Sequence, residues 1–358
     1  MKSGDRMRKT ISSLKLGLVY SYIHFSVEVA CFYFLFSRLS SSPVWWIVAM
    51  AFDALAFVPQ GFIGIIADKF PKFNYGLLGC AMLLVSLLIP FDAVALVILC
   101  LGNALAHIGG AQKTLRTSGG KITPTSLFVG GGSFGVITGQ LLGVVGNEKL
   151  IVIPLALMAL CVVLLFFVEK LYSIKEKEWK LDITTKHSVL AITLIAFAVV
   201  AVRAYIAYAI PTGWKKSDYQ AVLLFVIMGI GKMLGGVFAD LIGYYKTALI
   251  SGVLALPFLL FGNSYMILSL IGVGLFSMTM PITIAILVSK FPDRPCFSFG
   301  ITTVALFAGT LPAFFIRPTT LLQHQLTVLI LIIIATISLL VCIKRRKIYE
   351  FDAESNTR

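Results

Sequence analysis

The sequence predicts an all-α, polytopic transmembrane helix bundle of about twelve spans in two pseudo-symmetric six-helix halves. Three observations predict it: the composition, the spacing of the apolar runs and the distribution of the cations. Hydrophobic residues make up 58% of the 358 residues and charged residues only 13%, with a mean hydropathy of +0.95. A water-soluble domain carries about a quarter charged residues, so this chain is under-coated for water and suited to hydrocarbon.

A helix crossing the hydrocarbon core needs ~20 mostly apolar residues. Such runs lie at 14–36, 43–66, 74–91, 93–112, 124–146, 150–169, 188–210, 219–240, 246–262, 265–289, 297–316 and 325–343. Short polar segments separate them, several with Pro, as at Pro43, Pro124, Pro211 and Pro295. The third and fourth runs are divided only by Pro90, Phe91 and Asp92.

With the N-terminus in the cytoplasm and twelve alternating spans, 23 of the 30 Lys and Arg residues fall on the cytoplasmic side. Five fall outside (Arg38, Lys149, Lys215, Lys216 and Arg317), and Arg203 and Lys232 lie within spans. This is a strong positive-inside bias. It places both termini in the cytoplasm and explains the net charge of +14 without a nucleic-acid partner. The first run is long and carries His24 and Glu28 with no small-residue cleavage pattern, so it is expected to remain as a helix. The six cysteines show no C-x-x-C spacing and are read as small hydrophobes. Short loops without N-x-[S/T] sequons fit a bacterial inner membrane.

The most charged stretch, 169–187, lies mid-chain and contains Lys175-Glu-Lys-Glu178. It is expected to be a solvated cytoplasmic linker (170–187) between an N-terminal bundle (1–169) and a C-terminal bundle (188–343), followed by a tail (344–358). Internal repeats support that division. Gly64, Ala67, Asp68 and Lys69 end the second run, and Gly236, Ala239, Asp240 and Gly243 end the eighth, with 172 residues from Asp68 to Asp240. Ser118–Pro124 and Ser289–Pro295 repeat at an offset of 171.

The pattern Gly-x-x-Ala-Asp-Lys between spans two and three, echoed between eight and nine, resembles the signature loop of the major facilitator superfamily of secondary transporters. Pro71 replaces a usual glycine in the first copy, and Leu241 a usual basic residue in the second. The resemblance implies a carrier working by alternating access, with these loops at a cytoplasmic gate, and a monomer is expected. Physically, an acidic residue at a helix end can pair with cations or with a helix N-terminus, and Gly64 and Ala67 permit close packing. The alternative is that Asp68 and Asp240 sit solvated.

Ionisable groups inside a span are costly and become functional candidates. They are His24 and Glu28 in span one, Asp53 in span two, and His107, with Asn103, in span four. Arg203 follows in span seven, with Tyr205 and Tyr208 nearby, and Lys232 in span eight. His24 and Glu28 share a helix face at i, i+4, as do Asn103 and His107. By the resemblance, spans one, four and seven line a central cavity. Glu28 is expected to be a protonatable switch paired with Arg203, which alternatively anchors an anionic substrate; a static salt bridge is the competing reading. His107 is either a proton relay or a packing residue. Lys232 either faces the cavity or snorkels to the cytoplasm, and Asp53 faces the cavity or the outer vestibule.

Span five carries Gly131, Gly135, Gly139 and Gly143, a smooth stripe for close helix packing. It also resembles the span-five glycine motif of the superfamily's antiporters, with Val136 in place of its proline, and so inclines the reading toward efflux. The chain has no H-E-x-x-H, G-x-S-x-G or P-loop motif. His24 and Glu28 alone are too few for a metal site. Neither an enzyme, a cofactor nor a metal is expected. The expected partners are a small-molecule substrate, protons and the lipid bilayer. A proton-coupled symporter importing a metabolite, or a non-transporting receptor or scaffold, are the other classes open.

Overall fold

The computed structural model describes residues 2–171, 180–210, 212–215, 217–315 and 324–344, with side chains from residue 13 onward and none described for 169–171. Among the described residues the chain is helical, with one isolated bridge between Thr185 and Ile343.

Among the described residues, twelve helical segments, two of them broken, follow the predicted runs. They are α1 (Lys2–Phe34, continued by a π-helical turn Leu35–Leu39), α2 (Trp45–Lys69), α3 (Tyr75–Leu88), α4 (Asp92–Arg116), α5 (Thr123–Val144) and α6 (Val152–Leu171). Then come α7 (Val189–Ala209), α8 (Asp218–Ile242), α9 (Tyr244–Gly262), α10 (Met266–Lys290), α11 (Pro295–Phe315) and α12 (Gln325–Cys342). Eleven of these segments are long and apolar enough to cross a membrane. The chain is a multi-pass membrane protein. Its outer faces carry exposed Phe62, Leu88, Leu190, Leu241 and Ile267, the apolar surface that lipid solvates.

α3 is shorter than the sequence suggests, ending at Leu88 rather than at residue 91. Ile89 precedes Pro90 and takes an extended conformation, because the proline ring disfavours helical backbone one residue before it. Arg38 then ties this corner down, donating to the carbonyls of Ile89 and Pro90 at 2.8 and 2.9 Å and pairing with Asp92 at 2.6 Å. α2 breaks at Val58, where Pro59 opens its second segment, and α10 breaks at Met278 ahead of Pro281. Polar N-caps start other helices: Asn74 for α3, Ser188 for α7, and Ser217 with Gln220 as a capping box for α8.

α1 packs along α5, α3 along α4 and α6, and α7 along α11 and α12, while α9 lies against α10 and α12. α5 with α8 and α2 with α11 make the principal crossings between the first six helices and the last six. The described part of the linker is largely exposed yet makes contacts with the bundle. Residues 180–187 lie along the end of the bundle, with Lys180, Asp182, Thr184, Lys186 and His187 exposed. Asp182 donates its backbone N–H to Gly120, Lys186 to Cys342, and Lys344 to Thr184, while Leu181 and Ile183 pack on the core. Residues 170–179 of the predicted linker and the tail beyond 344 lie outside the fully described residues.

Small residues set the closest approaches. A Cβ at Gly79 would stand 2.6 Å from the Gly102 carbonyl oxygen and overlap the Ala106 amide, whereas one at Gly61 would meet only a Val304 methyl at 3.5 Å. Gly79→Val should therefore destabilise the detergent-solubilised protein by about 1–3 kcal/mol, read as a lower thermal midpoint, while Gly61→Ala should leave the midpoint unchanged.

Candidate functional site: two crossed caps and a buried ionisable cluster

At the lysine-rich end of the bundle, two carboxylates each reach into the opposite half of the chain. Asp68, at the end of α2, accepts from the backbone N–H groups of Cys296 (3.1 Å) and Phe297 (2.9 Å) in the first turn of α11. Arg116, ending α4, pairs with the same carboxylate at 3.2 Å. Asp240, near the end of α8, accepts from the N–H groups of Ile122 (3.0 Å) and Thr123 (2.8 Å) and from the Thr123 hydroxyl (2.5 Å) at the start of α5. A helix N-terminus presents unpaired N–H groups and a partial positive charge, and each carboxylate answers both.

The motif glycines make these approaches possible. A Cβ at Gly64 would lie 2.6 Å from the Cys296 carbonyl oxygen, and one at Gly236 would overlap Ser126. Ala67 and Ala239 are buried beside them. Gly243, at φ +92°, supplies the left-handed turn into α9. Lys69 is exposed and lies over the Phe70 ring, 5.5 Å from its centroid.

Deep in the first half, α1 and α4 bring four polar side chains together. His107 Nε2 lies 3.2 Å and His24 Nε2 3.4 Å from the same Glu28 oxygen, Oε1. Asn103 Nδ2 approaches that oxygen at 3.4 Å and the Cys31 Sγ at 3.3 Å. The two imidazoles meet edge to face, centroids 4.4 Å apart. Their other nitrogens are committed: His24 Nδ1 bonds the Phe128 carbonyl at 2.8 Å and His107 Nδ1 the Asn103 carbonyl at 2.9 Å. A carbonyl only accepts, so both Nδ1 atoms carry protons. In the neutral rings both Nε2 atoms then present lone pairs to a carboxylate oxygen. That arrangement is repulsive until a cation enters it.

The second half carries positive charge instead. Arg203, Tyr208, Met228, Lys232, Ser277 and Met280 are among the residues around a cavity of about 200 Å³ between α7, α8 and α10. Arg203 Nη2 points to the Met280 sulfur, while its buried Nη1 has no hydrogen-bond partner among the described residues. Lys232 donates to Ser133 Oγ on α5 at 2.8 Å.

Several sequence expectations change here. Glu28 and Arg203 form no ion pair among the described residues; Glu28 is engaged by its own half because α1 packs against α4 and α5, not α7. Lys232 does not snorkel but crosses to Ser133. Tyr208, rather than Tyr205, lines the cavity, and Tyr205 packs on the apolar cluster around Ile206 and Phe276. Asp53 lies 3.5 Å from the Thr310 hydroxyl on α11, apart from the Glu28 cluster. Gly131, Gly135, Gly139 and Gly143 seat α1, meeting Ser21, Phe25, Val29 and Phe36 or Tyr33 respectively. Sequence reasoning passed over Ser133, Thr123 and Met280. Only Thr123 carried a local signal, a threonine just before Pro124 at a helix start.

No protein-family profile and no curated protein matches the sequence. The fold is another matter. A crystal structure of a major facilitator superfamily transporter, FucP, in the outward conformation superposes with a TM-score of 0.62 at 14% identity, covering 92% of this chain and 98% of that one. A variant of the E. coli fucose:proton symporter FucP matches with a TM-score of 0.58 at 13% identity, over 91% and 97% of the two chains. A bacterial homologue of the iron transporter ferroportin, in its outward-facing state, matches with a TM-score of 0.55 at 12% identity, over 92% and 97%. The chain has the major facilitator fold.

Losing one donor to Asp240 should cost less than losing the acceptor. Thr123→Val should lower stability by about 1 kcal/mol, and Asp240→Ala, which strands two N–H groups and the hydroxyl, by more. Thermal unfolding of both variants in detergent checks the order.

Proposed function

We propose that this chain is a secondary active transporter that moves a small molecule by alternating access, coupled to protons, with efflux by antiport as its direction. The single observation that supports coupling is the Glu28 cluster, in which a carboxylate oxygen and two imidazole lone pairs converge with no fixed cation among them. A site that must take up a positive charge and sits in the interior of an intramembrane bundle suits a coupling ion. Antiport fits because one set of lone pairs holds one cation at a time, so proton and cargo occupy it in turn. The Arg203–Lys232 cavity in the other half fits the anionic group or anionic ligands of the cargo.

In this reading the lysine-rich end is cytoplasmic, and the Asp68 and Asp240 contacts hold it shut in the state seen here. Carriers of this fold rock two halves about a midplane site. Rocking would withdraw each carboxylate from the helix N-terminus of the opposite half and open that end. The halves are residues 1–169 and 188–343, the protein acts as a monomer in a bacterial inner membrane, and both termini are cytoplasmic. It performs no catalysis.

The test is flux of a compound panel in proteoliposomes under an imposed pH gradient. Proton-driven export against a gradient is expected; proton-driven uptake would replace antiport by symport, and no flux with any compound and no proton movement would point to a scaffold. Glu28→Gln should abolish the dependence of flux on the pH gradient while leaving exchange between identical pools, and persistence of gradient-driven flux would remove Glu28 from coupling. Arg203→Gln should weaken a cargo that carries an anionic group or anionic ligands roughly 10–100-fold in apparent affinity, the worth of a charged hydrogen bond, without changing coupling.

A further inference from the structure

We propose that His24, Glu28 and His107 form a binding site for a divalent first-row transition-metal ion. The inference rests on the reading of this cluster as a cation-exchange site and names the class of cation that it selects.

Three features carry it. The first is geometry. One ligand atom from each residue can be chosen so that all three lie within 4.8 Å of one another, and the two contacts to Glu28 Oε1 are 3.2 and 3.4 Å. Ligand atoms bonded at ~2.0–2.1 Å around one metal ion sit roughly 3.0–3.4 Å apart along an edge of its coordination polyhedron. The two contacts to the carboxylate oxygen already have that spacing, and the histidine pair, held within 4.8 Å, would close on the ion by rotation of the rings.

The second is the outer shell. A metal-bound histidine characteristically donates its remaining N–H to a carbonyl or carboxylate, which fixes the tautomer and aims the free nitrogen at the ion. Both histidines do this, His24 through Phe128 and His107 through Asn103. Gly132 makes room for the His24 ring, on which any Cβ would collide. The rings are thus oriented by contacts outside the cluster.

The third is an orphaned acceptor. Asn103 is 1% exposed and its Oδ1 has no partner among the described residues, although its amide nitrogen approaches Glu28 Oε1 at 3.4 Å. A half-turn of the amide exchanges the two atoms and presents this oxygen as a fourth ligand. His24, Glu28 and His107 are buried yet each keep 6–8% of their surface open, against 0–2% for Ile23, Val27 and Cys31.

Two imidazole nitrogens with one or two oxygens suit Mn²⁺, Fe²⁺, Co²⁺, Ni²⁺ or Zn²⁺, whereas Mg²⁺ and Ca²⁺ favour all-oxygen sets. The ion and the coupling proton would use the same three atoms, so binding one displaces the other.

The experiment titrates the purified full-length protein in detergent with Co²⁺ and follows its ligand-field absorption. One saturable Co²⁺ per chain is expected. His107→Gln and His24→Gln should each weaken binding at least tenfold, and Lys149→Gln, at an exposed position ahead of α6, should leave it unchanged. Absence of saturable binding in the wild type, or wild-type binding by the doubly substituted His24→Gln, His107→Gln protein, would overturn the proposal. Should the variants fail to fold, pulsed electron paramagnetic resonance of Mn²⁺ bound to the wild type decides the matter: coupling to imidazole nitrogen supports the site, and coupling to oxygen and water alone refutes it. No gradient is involved. Binding without proton-coupled flux would therefore sink the transport reading alone, and coupled flux without binding would sink this one alone.

Discussion

Two carboxylates join the first six helices to the last six at the lysine-rich end of the molecule, each by satisfying the N-terminus of a helix from the opposite half. Inside a bilayer every backbone N–H needs a partner, and the first turn of a helix has none of its own. Asp68 serves α11 and Asp240 serves α5. Each contact is charge-assisted, works with the helix dipole, and exists only while the two halves lie together. The rest of the architecture follows from those joints. α2 must meet α11 at Gly64 and α8 must meet α5 at Gly236, where any larger residue would collide.

The crossed arrangement gives the internal repeat its physical meaning. The two sequence pairs, the Gly-x-x-Ala-Asp segments and the Ser-to-Pro segments, are spatial partners. The first copy of one segment meets the second copy of the other, and the reciprocal pair does likewise. The contacts are not identical, since Asp240 takes Ile122 and Thr123, before Pro124, whereas Asp68 takes Cys296 and Phe297, after Pro295. Arg116 adds a guanidinium to Asp68, and the Thr123 hydroxyl adds a donor to Asp240. One joint is reinforced by a charge and the other by a hydroxyl.

Much of this was legible in the residues. Hydropathy and punctuation located every span, and the proline at position 90 explains the one that ends early. Asp68 and Asp240 stood out because they recur at a fixed offset. Their partners did not, because Asp68 and Phe297 are 229 positions apart and nothing local marks Cys296 or Phe297 as an acceptor's target. The Glu28 cluster was half visible. His24 and Glu28 share a face by helical period, as do Asn103 and His107, but that these faces confront each other is a consequence of α1 packing into the crevice of α4 and α5. The expected Glu28–Arg203 pair failed for the same reason. Charge complementarity suggested it, and helix packing gave Glu28 two imidazoles first. The glycine stripe of α5 fits that account, since it lets α1 approach closely enough to bring His24 against Phe128.

The proposed cycle therefore depends on the crossed caps being a reversible closure. The most direct test is the distance between spin labels on cysteines placed at the exposed positions Lys121 and Asp293, one on each half at the lysine-rich end, in an otherwise cysteine-free protein in lipid. The intact protein should give a short, narrow distribution, and the Asp68→Ala, Asp240→Ala protein should shift to a longer, broader one while remaining folded. An unchanged distribution in the doubly substituted protein would contradict the account, because the halves would then be held together by something other than these two carboxylates.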